Sequence, residues 1–179
     1  MARPRRLLIV GLGNLLLSDD GLGAAAVSLL ERRYETPEDV VLLDGGTLDS
    51  LLTLLAEADD VILVDAVPAD AAPGSIVRLA GDTVLAAVRE RLSAHQAGLA
   101  DLLEGMRQEG RAERLVLLGL VPALLERSDA RSAPIEAALP RLVEAIAEEA
   151  RWMSHDLLPR EDEGAAGLSD LGMARLFGI

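Results

Sequence analysis

Four side chains that could bind a cation stand where the chain passes from one structural element to the next. Asp19 and Asp20 stand at the start of a helical segment, Asp65 ends an apolar run, and His95 precedes a second helical segment. Carboxylates together with an imidazole suit zinc or nickel better than calcium. Taken alone, these residues predict a His/Asp/Asp metal site with open coordination positions.

Each of these residues also has a structural interpretation. Asp19 and Asp20 could serve only as capping residues, because a helix dipole stabilises carboxylates at its N-terminus. Asp65 follows an apolar run, and a buried carboxylate there needs a hydrogen bond, an ion pair or a metal. His95 could simply cap its helix, and the second histidine, His155, is predicted to be a surface residue.

Several other chemistries are excluded by what the sequence lacks. The chain has no cysteine, which removes disulfides and thiol nucleophiles, and it has neither an H-E-x-x-H nor a G-x-S-x-G motif. Gly11 and Gly13 resemble the start of a dinucleotide-binding loop, but Leu16 replaces its third glycine. Two aspartates at the following helix start would also repel a phosphate, so no nucleotide is expected. A net charge of -13 argues against nucleic-acid binding.

The segments that must position these residues alternate between two kinds of pattern. Short apolar runs bounded by Gly, Pro or Asp are typical of strands buried on both faces, and segments with helical spacing lie between them. The predicted strands are residues 6–10, 40–43, 61–64, 75–79 and 115–120. The predicted helices are residues 20–34, 48–58, 83–92, 96–108 and 134–152.

This alternation predicts a single three-layer αβα domain of class α/β over residues 1–152. Its twisted, mostly parallel sheet has about five strands, with helices on both faces. Residues 153–179 are predicted to form a partly flexible tail that either docks on its own domain or binds a partner. No apolar stretch approaches the roughly 20 residues needed to cross a bilayer, so we expect a cytoplasmic protein that does not associate with membranes, and a monomer.

Four blocks of sequence together resemble one known family. They are GLGNLLLSDDGLG at 11–23, LLDGGT at 42–47, VDA at 64–66 and SAHQAGLADLL at 93–103. In this order and spacing they resemble the hydrogenase maturation endopeptidases, over roughly residues 5 to 150.

The resemblance implies a function and a site. Members of this family remove a short C-terminal extension from the nickel-loaded large-subunit precursor of a [NiFe] hydrogenase. It implies that Asp20, Asp65 and His95 contact the nickel, which belongs to the substrate. Family members carry Glu or Asp at the first of these positions, so Asp20 fits the pattern.

The substrate cleft is expected at the same edge of the sheet as these three residues. Its predicted residues are Asn14, Asp19, Asp44, Gly45 and Gly46, although the glycines could equally form a tight structural turn. The alternative function is a non-catalytic, nickel-sensing maturation chaperone with the same three ligands. Both functions require Asp20, Asp65 and His95 to converge in the folded chain.

Overall fold

A computed structural model describes residues 4–44, 48–91, 97–110, 114–128 and 130–160. All five predicted strands and all five predicted helices are present, with ends that differ by no more than two residues. The strands are β1 (Leu7–Gly11), β2 (Tyr34–Glu35), β3 (Val40–Asp44), β4 (Asp60–Ala66), β5 (Ile76–Ala80), β6 (Arg114–Leu120) and β7 (Leu158–Pro159). The helices are α1 (Leu22–Arg33), α2 (Leu48–Glu57), α3 (Asp82–Arg91), α4 (Ala97–Gln108) and α5 (Ala133–Trp152).

The main sheet has the strand order β3-β1-β4-β6-β5. Neighbouring strands are parallel except for β5, which pairs antiparallel with β6 at one edge. The predicted mostly parallel α/β fold is therefore confirmed. The expectation that residues 75–79 form a strand buried on both faces is wrong. In β5 exposed and half-buried residues alternate, because an edge strand is covered less completely than a central one.

Two apolar cores, one on each face of the sheet, hold the three layers together. Helices α1 and α5 cover one face, where Leu22, Leu30, Leu142 and Ile146 are fully buried. Helices α2, α3 and α4 cover the other face. In α5 the buried residues recur every three or four positions, so that one stripe of the helix packs on the sheet. Each buried Leu or Ile side chain contributes about 1.5–3 kcal/mol through removal from water.

The domain continues past residue 152, where its end was predicted. Met153 and Leu157 are buried in the same core as α5, and β7 pairs antiparallel with β2. Residues 153–160 are thus part of the packed domain, and residues 161–179 lie outside the described residues. The sequence pattern missed this segment because two buried side chains separated by polar residues do not produce a recognisable period.

His155 is a buried residue, so its predicted place on the surface is wrong. Its side chain is 2% exposed, and its two ring nitrogens lie 2.6 Å from Asp39 Oδ2 and 3.3 Å from Asp60 Oδ2. Asp60 is fully buried at the start of β4 and also accepts hydrogen bonds from the guanidinium groups of Arg5 and Arg114. This cluster closes the amino-terminal edge of the sheet, opposite the predicted site.

Among the described residues, no helix combines the length and the apolar character that a membrane span requires.

Candidate functional site

The candidate site lies at the carboxyl ends of the neighbouring strands β1 and β4. The chain runs from β1 outward to β3 and then crosses back to β4, so the strand order reverses beside β1. In open parallel sheets a ligand crevice lies at such a switch point. The register places Gly11 between Asp44 of β3 and Val64 of β4. The next residue of β4 is Asp65, so Asp65, Asp44 and the loop after β1 share one edge of the sheet.

The loop after β1 is held tightly against this edge by the start of α1. A Cβ atom at Gly23 would come within 2.3 Å of the Leu12 carbonyl oxygen and 2.4 Å of the Val64 carbonyl oxygen. Such a contact is too short for any side chain, so only glycine lets α1 begin this close to the strands. The glycines of the 11–23 block therefore serve close packing of backbone against backbone.

Asp20 is held in place by the loop that precedes it. It lies in a short 3-10 turn, Ser18–Gly21, and its Oδ2 accepts a hydrogen bond of 2.8 Å from the Asn14 backbone N–H. Gly13, with a φ of +104°, allows the chain to turn over the Asp20 carbonyl oxygen. The carboxylate is half-buried at the same edge as Asp65. Asn14 thus positions Asp20 through the Asn14 backbone N–H. The Asn14 side chain accepts a hydrogen bond from the Leu16 N–H.

Asp65 is the penultimate residue of β4 and is half-buried. Its Oδ1 accepts a hydrogen bond of 2.7 Å from the Ala66 backbone N–H. The neighbouring strand contributes Gly119, where a Cβ atom would lie 2.1 Å from the Asp65 carbonyl oxygen. The two strands can therefore approach this closely only because residue 119 of β6 has no Cβ atom. This side chain stands at the edge where the sequence predicted a site.

Three predicted site residues, Gly45, Gly46 and His95, lie outside the described residues. Asp44 is described and is exposed at the end of β3, about two strand spacings, or roughly 10 Å, from the end of β4. Within the described ranges no group of three or more His, Cys, Asp and Glu side chains is arranged to hold a metal. Asp20 and Asp65 flank the switch point between β1 and β4, and Asp44 lies farther along the same edge.

Asp19 does not line a cleft, and this part of the sequence prediction is wrong. Its side chain is fully buried. Oδ2 accepts hydrogen bonds from the Ala123 and Leu124 N–H groups and the Ser132 hydroxyl, while Oδ1 accepts one from the Ser132 N–H. Burial alone would raise the pKa of Asp19, but the hydrogen bonds from Ser132, Leu124 and Ala123 hold its pKa below the usual value. Asp19 thus fastens the first loop to the β6–α5 connection.

We expect Asp19→Asn to lower the free energy of unfolding by about 1–3 kcal/mol, because its amide NH2 would face backbone N–H donors. Chemical denaturation of the variant measures the loss. Asp20→Asn is the matched control, since it changes the adjacent carboxylate without breaking these four hydrogen bonds, and it should lower activity more than stability. Equal stability losses in the two variants would contradict the structural role of Asp19.

Four leucines form an exposed apolar surface beside the site. Leu15 and Leu16 on the first loop and Leu124 and Leu125 on the β6–α5 connection are each 45–62% exposed. The two segments are joined by backbone hydrogen bonds, including Asp19 N–H to the Leu124 carbonyl. Sequence reasoning did not assign these residues. The available signal was an apolar run at 15–17 outside any strand or helix.

Comparison with known proteins identifies the family. The family model described as HycI, hydrogenase maturation protease, matches residues 24–149. The chain belongs to the hydrogenase maturation protease family.

The chain is similar to individual members of this family in sequence and in structure. The chain is 36% identical over 159 residues to the hydrogenase 2 maturation protease of Escherichia coli, a match that covers 87% of this chain and 97% of that protein. It superposes on the solved structure of the hydrogenase maturating endopeptidase HybD from E. coli with a TM-score of 0.78 and 36% identity, covering 87% of this chain and 98% of that one. The [NiFe] hydrogenase maturation protease HycI from Thermococcus kodakarensis gives a TM-score of 0.65 at 28% identity, covering 82% and 92%.

Membership in this family establishes that the protein is a protease, as the sequence blocks predicted. The chain has no cysteine, so a cysteine nucleophile is excluded.

Proposed function

We propose that this protease removes the C-terminal extension from the large-subunit precursor of a [NiFe] hydrogenase, and that it recognises nickel already bound in that precursor. Asp20, Asp65 and His95 are the proposed contacts to the nickel. The observation that carries the proposal is the placement of Asp20 and Asp65 at the switch point between β1 and β4. The proposal is also supported by the relatives, which are proteases of hydrogenase maturation.

Electrostatics gives a reason for the dependence on nickel. Two carboxylates and an imidazole can complete the coordination of an open nickel site in the precursor. A precursor without nickel would leave the carboxylates uncompensated against the substrate peptide, so that recognition is partly a rejection of the wrong substrate. Nickel bound at this edge would also hold the nearby scissile bond in position.

The peptide bond is hydrolysed when water adds to its carbonyl carbon and the leaving amine receives a proton. A base must accept the proton that the water loses, and a carboxylate at the edge of the sheet can do this. Asp20 or Asp65 is the proposed base. The exposed leucines at 15, 16, 124 and 125 offer an apolar surface of the kind that binds a protein rather than a small molecule.

The test compares nickel-loaded and nickel-free precursor, each incubated with the full-length protease. We expect mass spectrometry to show a shortened large subunit only with the loaded precursor. The Asp65→Asn protein serves as the inactive control. Equal cleavage of both precursors would contradict recognition through nickel, and cleavage of neither would contradict this precursor as the substrate.

A further inference from the structure

The exposed leucines beside the candidate site are gathered on two neighbouring segments. We call them the leucine surface: Leu15, Leu16, Leu124 and Leu125. Single exposed apolar residues are ordinary on a protein, whereas a shared apolar patch marks a site of interaction. The other exposed large apolar residues that the structure describes stand one to an element: Ile76, Trp152 and Leu158. The leucine surface is therefore the place in the described chain where exposed apolar side chains are concentrated.

Hydrogen bonds fasten the two segments of the leucine surface to each other. The Ser18 N–H donates to the Ser128 carbonyl at 2.7 Å, and the Ser128 N–H donates to the Leu16 carbonyl at 3.2 Å. The buried Asp19 carboxylate accepts further hydrogen bonds from the β6–α5 connection. Because these bonds order both segments before a partner arrives, the loss of entropy on binding is smaller.

The leucine surface is continuous with the candidate site through the first loop. Asn14, whose N–H holds the Asp20 carboxylate, directly precedes Leu15. A Cβ atom at Gly21 would lie 3.1 Å from the Leu15 Cα, so the backbone at Leu15 packs against the residue that follows Asp20. A polypeptide that reaches Asp20 and Asp65 therefore passes beside the leucine surface.

The proposed substrate is a folded protein and not a free peptide. Nickel can be bound in the precursor only after the precursor's own ligands have come together, so the substrate has a folded body from which its C-terminal extension emerges. Only the few residues around the scissile bond can reach Asp20 and Asp65. The body of the precursor must rest on the surface next to the site, and there the protease offers exposed leucines.

We propose that the leucine surface docks the folded body of the precursor and so places the C-terminal extension at Asp20 and Asp65. Its counterpart is an apolar patch on the precursor, next to the start of the extension. Contacts remote from the scissile bond supply binding energy, while the reaction itself stays with the groups at the sheet edge. This proposal rests on the proposed function, because the precursor of that function is the partner.

Binding of the nickel-loaded precursor, measured by surface plasmon resonance, tests the docking. The protease carries Asp65→Asn so that it holds the precursor without cutting it. Adding Leu124→Ser with Leu125→Ser should raise the dissociation constant about tenfold or more, as loss of central apolar contacts does. The matched control instead adds Trp152→Ser with Leu158→Ser, which removes exposed apolar side chains at the opposite end of the domain. It should leave the dissociation constant unchanged.

Steady-state cleavage by proteins that retain Asp65 separates docking from chemistry. Leu124→Ser with Leu125→Ser should raise KM for the loaded precursor about tenfold and change kcat less than about twofold. A loss of kcat alone would show that these leucines act in the reaction and not in docking. Circular dichroism verifies that each variant is folded.

The outcomes distinguish this proposal from the proposed function. Cleavage of the precursor with a dissociation constant and KM that the leucine substitutions leave unchanged overturns the docking surface and keeps the proposed function. Binding that these substitutions weaken, with no cleavage by the natural protein, keeps the docking surface and overturns the proposed function. Failure of the precursor to bind overturns both. A dimer of the natural protein that the leucine substitutions dissociate, seen by size-exclusion chromatography, would make a second copy the occupant and overturn the docking surface.

Discussion

Asp65→Asn is expected to lower the rate of precursor cleavage by about 10²- to 10⁴-fold, the range for loss of an acid–base group in an active site. The substitution keeps the shape of the side chain, and the amide oxygen can still accept the hydrogen bond from the Ala66 N–H. It removes the negative charge that would contact nickel or accept a proton. The rate is measured with nickel-loaded precursor under single-turnover conditions.

Asp101→Asn is the matched control for this experiment, because Asp101 is an exposed carboxylate on α4. It should leave the rate unchanged. Both variants should unfold at the same denaturant concentration as the natural protein, which separates lost chemistry from lost structure. Cleavage by the Asp65→Asn protein at more than about a tenth of the natural rate would remove Asp65 from the proposed mechanism.

Asp60→Asn is expected to have the largest effect on stability, a loss of about 2–4 kcal/mol in the free energy of unfolding at neutral pH. Asp60 is fully buried, and it pairs with the partly exposed guanidinium groups of Arg5 and Arg114 at 2.7 Å. Asparagine would leave these cations and His155 without their shared carboxylate. Denaturation by urea, followed by circular dichroism, measures the loss.

The stability loss should also depend on pH in a definite direction. Burial would raise the pKa of Asp60, but hydrogen bonds from Arg5, Arg114 and His155 hold its pKa below the usual value. A carboxylate with a lowered pKa stabilises the fold fully above the pKa it has when unfolded, about 4, and loses this contribution as the pH falls below it. The difference between natural and Asp60→Asn proteins should therefore shrink below about pH 4.

An exposed ion pair at the same end of the molecule provides the control. Asp156 lies 3.3 Å from Arg151, and both side chains are more than half exposed. Asp156→Asn should leave the free energy of unfolding nearly unchanged, because solvent screens exposed pairs. If Asp60→Asn proves as mild as this control, the cluster at the amino-terminal edge of the sheet does not stabilise the fold as argued.

The sequence predicted the regular elements well for a physical reason. Central parallel strands are covered on both faces, so they appear as continuous apolar runs, and the helices between them keep one apolar stripe. The prediction was weakest for strands that are not covered on both faces. Strand β5 lies at the sheet edge and pairs antiparallel, and β2 and β7 are only two residues long each. The sequence of an edge strand or of a two-residue strand contains little apolar pattern to detect.

Parts of the candidate site could also be foreseen from the sequence. The ends of neighbouring parallel strands must share an edge, so Asp65 and the loop with Asp20 were bound to be near each other. The histidine expected to join them, His95, stays a prediction. The sequence did not reveal the exposed leucines as a surface, because exposure depends on what the rest of the chain leaves uncovered.

Asp19 and Asp20 show most clearly how much the sequence reveals and how much depends on the folded chain. The sequence alone determined the five main strands, the helices and the family, since these depend on local apolar patterns and on motifs in order. It assigned Asp19 to the substrate cleft beside Asp20 and could not show that Asp19 is buried. Only the folded chain did so, when Ala123, Leu124 and Ser132, more than a hundred residues away, buried one carboxylate among their hydrogen-bond donors and left the other at the edge of the sheet.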